Sequence, residues 1–307
     1  MISYNKTVIW KVKYMSFNHI EYAVEVAKAK SIRKASQNLY MSQPYLSGMI
    51  KGLEEELGYH IFNRTAAGIT LTREGEEFLK SAKVILMELK KMREIQINPE
   101  EHPLNISTYY STLMMELFLK FHNASDYKFA DTIKEMNDKQ VIESVSGGES
   151  DIGIIFFVKE TFREKEKMAK EYDLAFQELI PPMQNYVLIH KTHPLACMKG
   201  LKTVNLYDYP YITYNDVSAR KFLEILGIKN HPELLTVSDR GSFYDALRSG
   251  EYLTVMAFRN PPRDKDFRLL PFEDVKITMC SAYLTRKNYT LSKREKEFIA
   301  FIREERK

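Results

Sequence analysis

Residues 31–72 read SIRKASQNLYMSQPYLSGMIKGLEEELGYHIFNRTAAGITLT, the pattern of two short helices, a tight connection and a hairpin. Ser31 is placed to cap a first helix running through Leu39, its hydroxyl accepting a first-turn N–H that has no intrahelical partner. Ile32, Ala35 and Leu39 share one stripe of that helix, and Ala35 is small where a second helix must pass close. Tyr40 and Met41 make the connection. Ser42 then caps a second helix, with Gln43, Pro44 and Tyr45 in its first turn. Proline is tolerated there because first-turn N–H groups lack intrahelical acceptors anyway. Leu46, Ile50, Leu53 and Leu57 form the apolar stripe, and Gly58 ends the helix. Two capped helices on a short joint are a helix-turn-helix unit, whose second helix lies in the DNA major groove. Residues 59–64 and 69–72, around a loop containing Gly68, read as the strands of a wing.

Ser42-Gln43-Pro44, Leu46-Ser47, Ile50-Lys51, Leu53-Glu54, Leu57-Gly58, Phe62, Arg64, Leu71-Thr72 and Gly75 together resemble the N-terminal domain of LysR-type transcriptional regulators. The resemblance is sharp up to Gly75 and loose after Pro103. It implies a bacterial DNA-binding protein with a ligand-sensing C-terminal half. It also implies that Gln43, Pro44 and Ser47 contact bases or groove walls. Tyr45 stands where the family often has alanine, Gly48 where a long polar residue is usual, and Gly52 where a longer side chain is usual. Guanine recognition by a bidentate arginine is therefore missing at Gly48, which shifts the expected burden to DNA shape and the wing.

Composition agrees with a cytoplasmic multidomain protein. The 307 residues suffice for two or three domains, and 44% hydrophobic residues suffice for real cores. A formal charge of +4 is compatible with DNA binding without establishing it. Cys197 and Cys280 are the two cysteines, too few for a disulfide framework, and no C-x-x-C pattern suggests a metal. No apolar run reaches the length of a membrane span, so no membrane partner is expected. Lys11 and Lys13 interrupt the first apolar stretch, which is unlike a signal peptide. Because the resembling proteins begin near Met15, residues 1–14 read as an upstream extension, a misassigned start or an ordered segment.

The chain divides into an extension (1–14), a winged helix-turn-helix (15–73), a linker helix (74–98), a first effector subdomain (103–180 and 272–307) and a second (181–271). Phe17, Ile20, Ala23, Val24 and Ala27 give a helix that supports the pair. Thr72 caps the linker helix, where Phe78, Ala82, Ile85, Leu89 and Met92 recur at heptad spacing. That stripe reads as a dimerisation seam, or else as a face packed on its own chain. A dimer would present two recognition helices to two related half-sites. After the break at Pro99 and Pro103, strands alternate with helices, which argues for an α/β layer fold. DIGIIFFV, residues 151–158, is a strand apolar on both faces. Residues 159–173 are highly charged, read as an exposed helix or loop, and take no role. The fold expected is α/β multidomain: a winged helix-turn-helix, a long linker helix and a two-lobed, periplasmic-binding-protein-like effector domain.

Candidate DNA contacts are Ser31, Arg33, Lys34, Ser42, Gln43, Pro44, Tyr45, Ser47, Lys51 and Arg64. Glutamine can pair with adenine, and proline and tyrosine offer apolar surface to a thymine methyl. Arg33, Lys34 and Lys51 are either phosphate contacts or solvated charges. Arg64 is a phosphate or groove contact or a free wing charge. In open α/β sheets ligands meet the C-terminal strand ends, which places Thr108, Tyr109, Ser111, Asn137, Asp138, Phe157, Tyr214 and Ser238 at an effector cleft. Ser111 and Asp138 read equally well as plain helix starts. No catalytic motif or metal pattern is present, so no enzyme activity and no cofactor is expected.

The function expected is sequence-specific promoter binding as a dimer. The resemblance adds a pair of dimers, a small-molecule effector between the lobes and RNA polymerase as a further partner. Three readings compete: a solute-binding protein with a degenerate helical domain, a two-lobed enzyme, and a DNA-binding regulator whose cleft its own side chains fill.

Overall fold

The computed structural model describes residues 16–65, 68–94, 103–124, 130–258 and 265–304. The extension at 1–14 and the end of the linker helix at 95–98 lie outside the described residues. Two compact units divide the chain, residues 1–96 and 97–307.

In the first unit, Ser16 caps α1 (Phe17–Ala29), and Ile20, Ala23 and Val26 point inward. Ser31 caps α2 (Ile32–Asn38). α3 (Gln43–Leu57) buries Leu46, Ile50, Leu53 and the carboxylate-bearing Glu54, and ends on Gly58 at φ +76°. Ala35 is fully buried where α2 meets its neighbours, as its size requires. The wing is the antiparallel pair β1 (Phe62–Thr65) and β2 (Gly68–Leu71), with Phe62 opposite Leu71.

α4 (Arg73–Glu94) starts under the wing. Thr72 Oγ1 accepts the Gly75 N–H at 2.8 Å and donates to the His60 carbonyl at 2.6 Å. The heptad stripe of α4 splits. Ala82 is buried, and Phe78 packs against the core of its own unit. Ile85 and Met92 are 37% and 65% exposed, with Leu89 half-buried. The apolar repeat is thus covered at Phe78 and Ala82 and open to water at Ile85 and Met92.

The second unit is two α/β lobes sharing one path of strands. The first lobe holds β3 (Asn105–Tyr109), α5 (Thr112–Asn123), β4 (Thr132–Met136), α6 (Asp138–Ser146), β5 (Ile152–Val158), α7 (Phe162–Glu171) and β6 (Leu174–Glu178). The second holds β7 (Met183–His190), β8 (Tyr211–Tyr214), α8 (Val217–Ile225), β9 (Leu234–Val237), α9 (Arg240–Arg248), β10 (Leu253–Phe258) and β11 (Phe267–Pro271). The chain returns to the first lobe through β12 (Thr278–Arg286) and α10 (Lys293–Glu304). Strand order is β4-β3-β5-β12-β7-β10-β8-β9, with β6 on β12 and β11 on β7. β3 runs parallel to β4 and β5, and β8 parallel to β9 and β10, as crossover helices require. The lobes join where β12 meets β7, at the pairs Thr278–Gln184 and Met279–Met183.

The charged segment 159–173 is not simply a solvated surface. Its helix α7 carries the exposed pairs Lys170–Glu166 at 3.3 Å and Lys167–Glu171 at 3.8 Å, yet Lys165 and Ala169 are buried.

Gly75 is where α4 crosses closest to the entry of the wing. A Cβ built there would lie 2.0 Å from the Ile61 carbonyl oxygen. Gly75→Ala is expected to destabilise the first unit by about 1–3 kcal/mol, the range for overpacking a close contact. Denaturant unfolding followed by helix content measures it; an unchanged midpoint would contradict so close a crossing.

Candidate nucleic-acid interface and interlobe cluster

The recognition helix α3 turns one face outward. Ser42, Gln43, Pro44, Tyr45, Gly48, Lys51 and Gly52 are exposed, and Tyr45 is 53% accessible. Ser47 is half-buried at the edge of this face. Gly48 and Gly52 have no heavy atom within 4 Å of an added Cβ, so packing does not explain them. Lys51 pairs with Glu55 across one turn at 3.4 Å, both side chains largely in water. Ser42 holds the N-cap position without a side-chain hydrogen bond, unlike the expected cap. Ser31 does cap, its Oγ accepting the Lys34 N–H at 3.3 Å. Arg33 and Lys34 are exposed on α2, and Tyr40, at φ 53° in the connection, is 98% exposed. Arg64 belongs to β1, and its side chain lies outside the described residues.

Glu54, named from the sequence only as part of the resemblance, holds the wing in place. Glu54 is buried, and its Oε1 accepts the N–H groups of Ile61 at 2.8 Å and Phe62 at 3.0 Å. An acidic residue in the apolar stripe of a recognition helix, eight residues before a strand, was the available signal.

Between the lobes, protein side chains meet directly. Asp138, the first residue of α6, accepts from Lys165 Nζ at 2.6 Å and from Ser218 Oγ at 2.6 Å, both at Oδ2. Lys165 Nζ also donates to Ser218 Oγ at 2.8 Å. The Lys165 and Asp138 side chains are 10% and 4% exposed. Tyr109 Oη donates to Asp216 Oδ2 at 2.9 Å, and Thr112 Oγ1 meets Tyr244 Oη at 2.8 Å. Arg240 Nε donates to Glu135 Oε2 at 2.9 Å, and Lys221 pairs with Glu164. Tyr110 stacks on Tyr214 with ring centroids 4.3 Å apart, and Tyr214 stacks on Phe243 at 4.6 Å.

Of the residues expected at the effector cleft, Tyr109, Asp138 and Tyr214 sit in this cluster. Thr108 is fully buried, its hydroxyl donating to the Tyr109 carbonyl. Ser111 and Asn137 cap α5 and α6 through Oγ and Oδ1 respectively. Ser238 is exposed beyond the end of β9. Phe157 is not at the cleft: it is buried in the first lobe's core, its ring against Phe162 and Phe176. Strand alternation sends it to the face covered by α6 and α7. Lys165 and Ser218 escaped the sequence reading. The signal for Lys165 was a lysine between Thr161 and Ala169 on the buried face of α7. A cavity of about 430 Å³ lies elsewhere, lined by residues 184–186 and 271–277 near the lobe junction.

Burial governs protonation here. It raises the Tyr109 phenol well above its ordinary range, and the nearby Asp216 and Asp138 charges add to the rise. Burial also raises Asp216 above its usual value, against the lowering pull of the Ala219 N–H and Tyr109.

The family model for the bacterial regulatory helix-turn-helix protein, lysR family, matches residues 17–76. Residues 17–76 thus form a helix-turn-helix domain of the lysR type. It is 29% identical over 153 residues to the hydrogen peroxide-inducible genes activator of Dickeya chrysanthemi, covering 48% of this chain and 50% of that protein. The chain thus spans about half the length of the curated relatives it first matches. A full-length OxyR variant from Pseudomonas aeruginosa aligns with 94% of this chain and 95% of its own, with a TM-score of 0.62 and 20% identity. Full-length CbnR complexed with its target DNA aligns over 94% and 99%, with a TM-score of 0.61 and 16% identity. These two structures share the fold: an N-terminal helix-turn-helix followed by an α/β unit.

Because the folded state holds the Asp216 proton more tightly than the unfolded chain, the associated stability is present below 3.8 and lost as pH rises through the raised value. Asp216→Asn keeps a helix-capping oxygen but cannot ionise. Melting curves across the acidic range should show a weaker decline with rising pH in this variant than in the wild type. Parallel declines would remove Asp216 from the account.

Proposed function

We propose that the protein is a sequence-specific DNA-binding transcription regulator of the LysR type. The outward face of α3, on which Gln43, Pro44, Tyr45, Gly48, Lys51 and Gly52 are exposed, is the observation that carries this reading. Gln43, Pro44, Tyr45 and Ser47 would face base edges, and Arg33, Lys34 and Lys51 phosphates. Ser31, Ser42 and Arg64 complete the proposed backbone contacts. Exposed Ile85 and Met92, with half-buried Leu89 between them, are the part of the heptad stripe on α4 that a second copy would cover. That surface and the resemblance to LysR-type regulators support a dimer, and pairing of dimers on promoter DNA.

For control by a small molecule, the interlobe geometry favours a second reading over the effector cleft expected from sequence. Tyr109, Tyr110, Asp138, Lys165 and Tyr214 meet partners across or within the cleft, which supports a regulator whose cleft its own side chains fill. Of the two cysteines, Cys197 is exposed and Cys280 is partly buried. Burial, then Glu178, raises the Cys280 thiol above its ordinary value, which disfavours the reactive thiolate.

Fluorescence anisotropy on the DNA just upstream of this coding sequence, beside a scrambled duplex, tests the reading at two salt concentrations. Preferential binding with a steep salt dependence is expected. Lys51→Ala should weaken both duplexes alike and reduce the salt slope by about 1, whereas Tyr45→Ala should cost roughly 1–3 kcal/mol on the preferred duplex alone. Gly48→Ala should stabilise the fold by about 1 kcal/mol, since glycine is a poor helix former and the site is open. Equal binding to both duplexes, with no selected sequence from a random pool, would refute sequence-specific binding.

A further inference from the structure

The charged segment that contains α7 belongs to the second unit, and it places one cation between the lobes. Lys165 leaves a helix whose other charges are solvated and ends 2.6 Å from Asp138 Oδ2 and 2.8 Å from Ser218 Oγ. Ser218 belongs to the second lobe, Asp138 and Lys165 to the first. Ser218 Oγ accepts from the ammonium and donates to the carboxylate at 2.6 Å, so the triangle spans the cleft. Asp138 Oδ1 is buried without a hydrogen-bond partner among the described residues. The carboxylate is therefore held from one side, and loss of Lys165 would leave it uncompensated. Tyr109 and Asp216 close the same junction beside it.

We infer that Lys165 is a built-in ligand: its alkylammonium chain occupies an interlobe cation site formed by Asp138 and Ser218, and holds the lobes together without a diffusible effector. The inference rests on the filled-cleft reading above and is independent of DNA binding. The site selects a primary ammonium. An ammonium nitrogen can donate at once to the carboxylate and the hydroxyl, as Lys165 does, and the surrounding burial favours a cation delivered with its counter-charge in place. The ordinary use of a buried ion pair, fixing two elements of one lobe, does not require a hydroxyl from the other lobe.

Lys165→Ala removes Cγ, Cδ, Cε and Nζ, the heavy atoms of n-propylammonium. In the full chain, this variant should melt roughly 10 °C below wild type, the effect of stranding a buried charge in a unit of this size. Adding n-propylammonium chloride should raise the variant's Tm in a saturable manner. Equal sodium chloride should not, and wild type should respond to neither. If the variant does not fold alone, its refolding yield from urea with propylammonium against sodium chloride reads the same site. A second variant combining Lys165→Met with Asp138→Leu should fold and ignore propylammonium. An unchanged Tm in Lys165→Ala, no advantage of propylammonium over sodium chloride, or an equal response in the double variant would overturn the inference. Failure of the DNA experiment would leave all of these readings in force.

Discussion

Buried backbone N–H groups need acceptors, and this protein meets that constraint with carboxylates that serve two partners at once. Glu54 takes the Ile61 and Phe62 N–H groups at the entry to the wing. Asp131 takes the Leu104 N–H at 2.7 Å through Oδ1, while its Oδ2 meets His122 at 2.8 Å and the Arg294 guanidinium of α10. Glu135 takes the Ser111 N–H at 3.1 Å and reaches Arg240 across the cleft with its other oxygen. Asp216 takes the Ala219 N–H at 2.8 Å and Tyr109 across the cleft. In each of the last three, one oxygen finishes a strand or helix end and the other joins a distant element. Local capping and long-range assembly thus share one side chain, within the first lobe at Asp131 and across the cleft at Glu135 and Asp216.

The first unit was largely legible in its sequence. Apolar stripes at helical spacing, Ser31 and Thr72 at helix starts, and Gly58 at a helix end each have a short-range cause, and the structure places them as that cause dictates. Tyr109, Asp138 and Tyr214 were found by a topological rule about strand ends. Phe157 failed the same rule because a strand end points alternate residues to opposite faces, and the rule does not say which. Lys165 and Ser218 were hidden for a different reason. Their significance is a meeting between residues far apart in sequence, and a lysine in a run of Glu and Lys carries no local mark of burial beyond helical spacing.

The heptad stripe of α4 shows how one pattern can serve two surfaces. Phe78 and Ala82 complete the core of the first unit, and Ile85 and Met92 remain open to water. Periodicity identifies an apolar face but not where along its length the covering partner changes. The lobe junction is similarly economical. Two residue pairs between β12 and β7 join the strands of the two lobes, while the side-chain contacts across the cleft are made by helices and strand ends.

Gly48 and Gly52 lie on a face with open space around them, one turn apart on α3, while the residues that hold the helix in its domain are on the opposite stripe. The residues that hold this helix in its domain and those of the proposed base-reading face are therefore separate sets. Side chains could be added at Gly48 and Gly52 without touching the core, so under the proposed function the reading face could be altered while the fold stayed as it is.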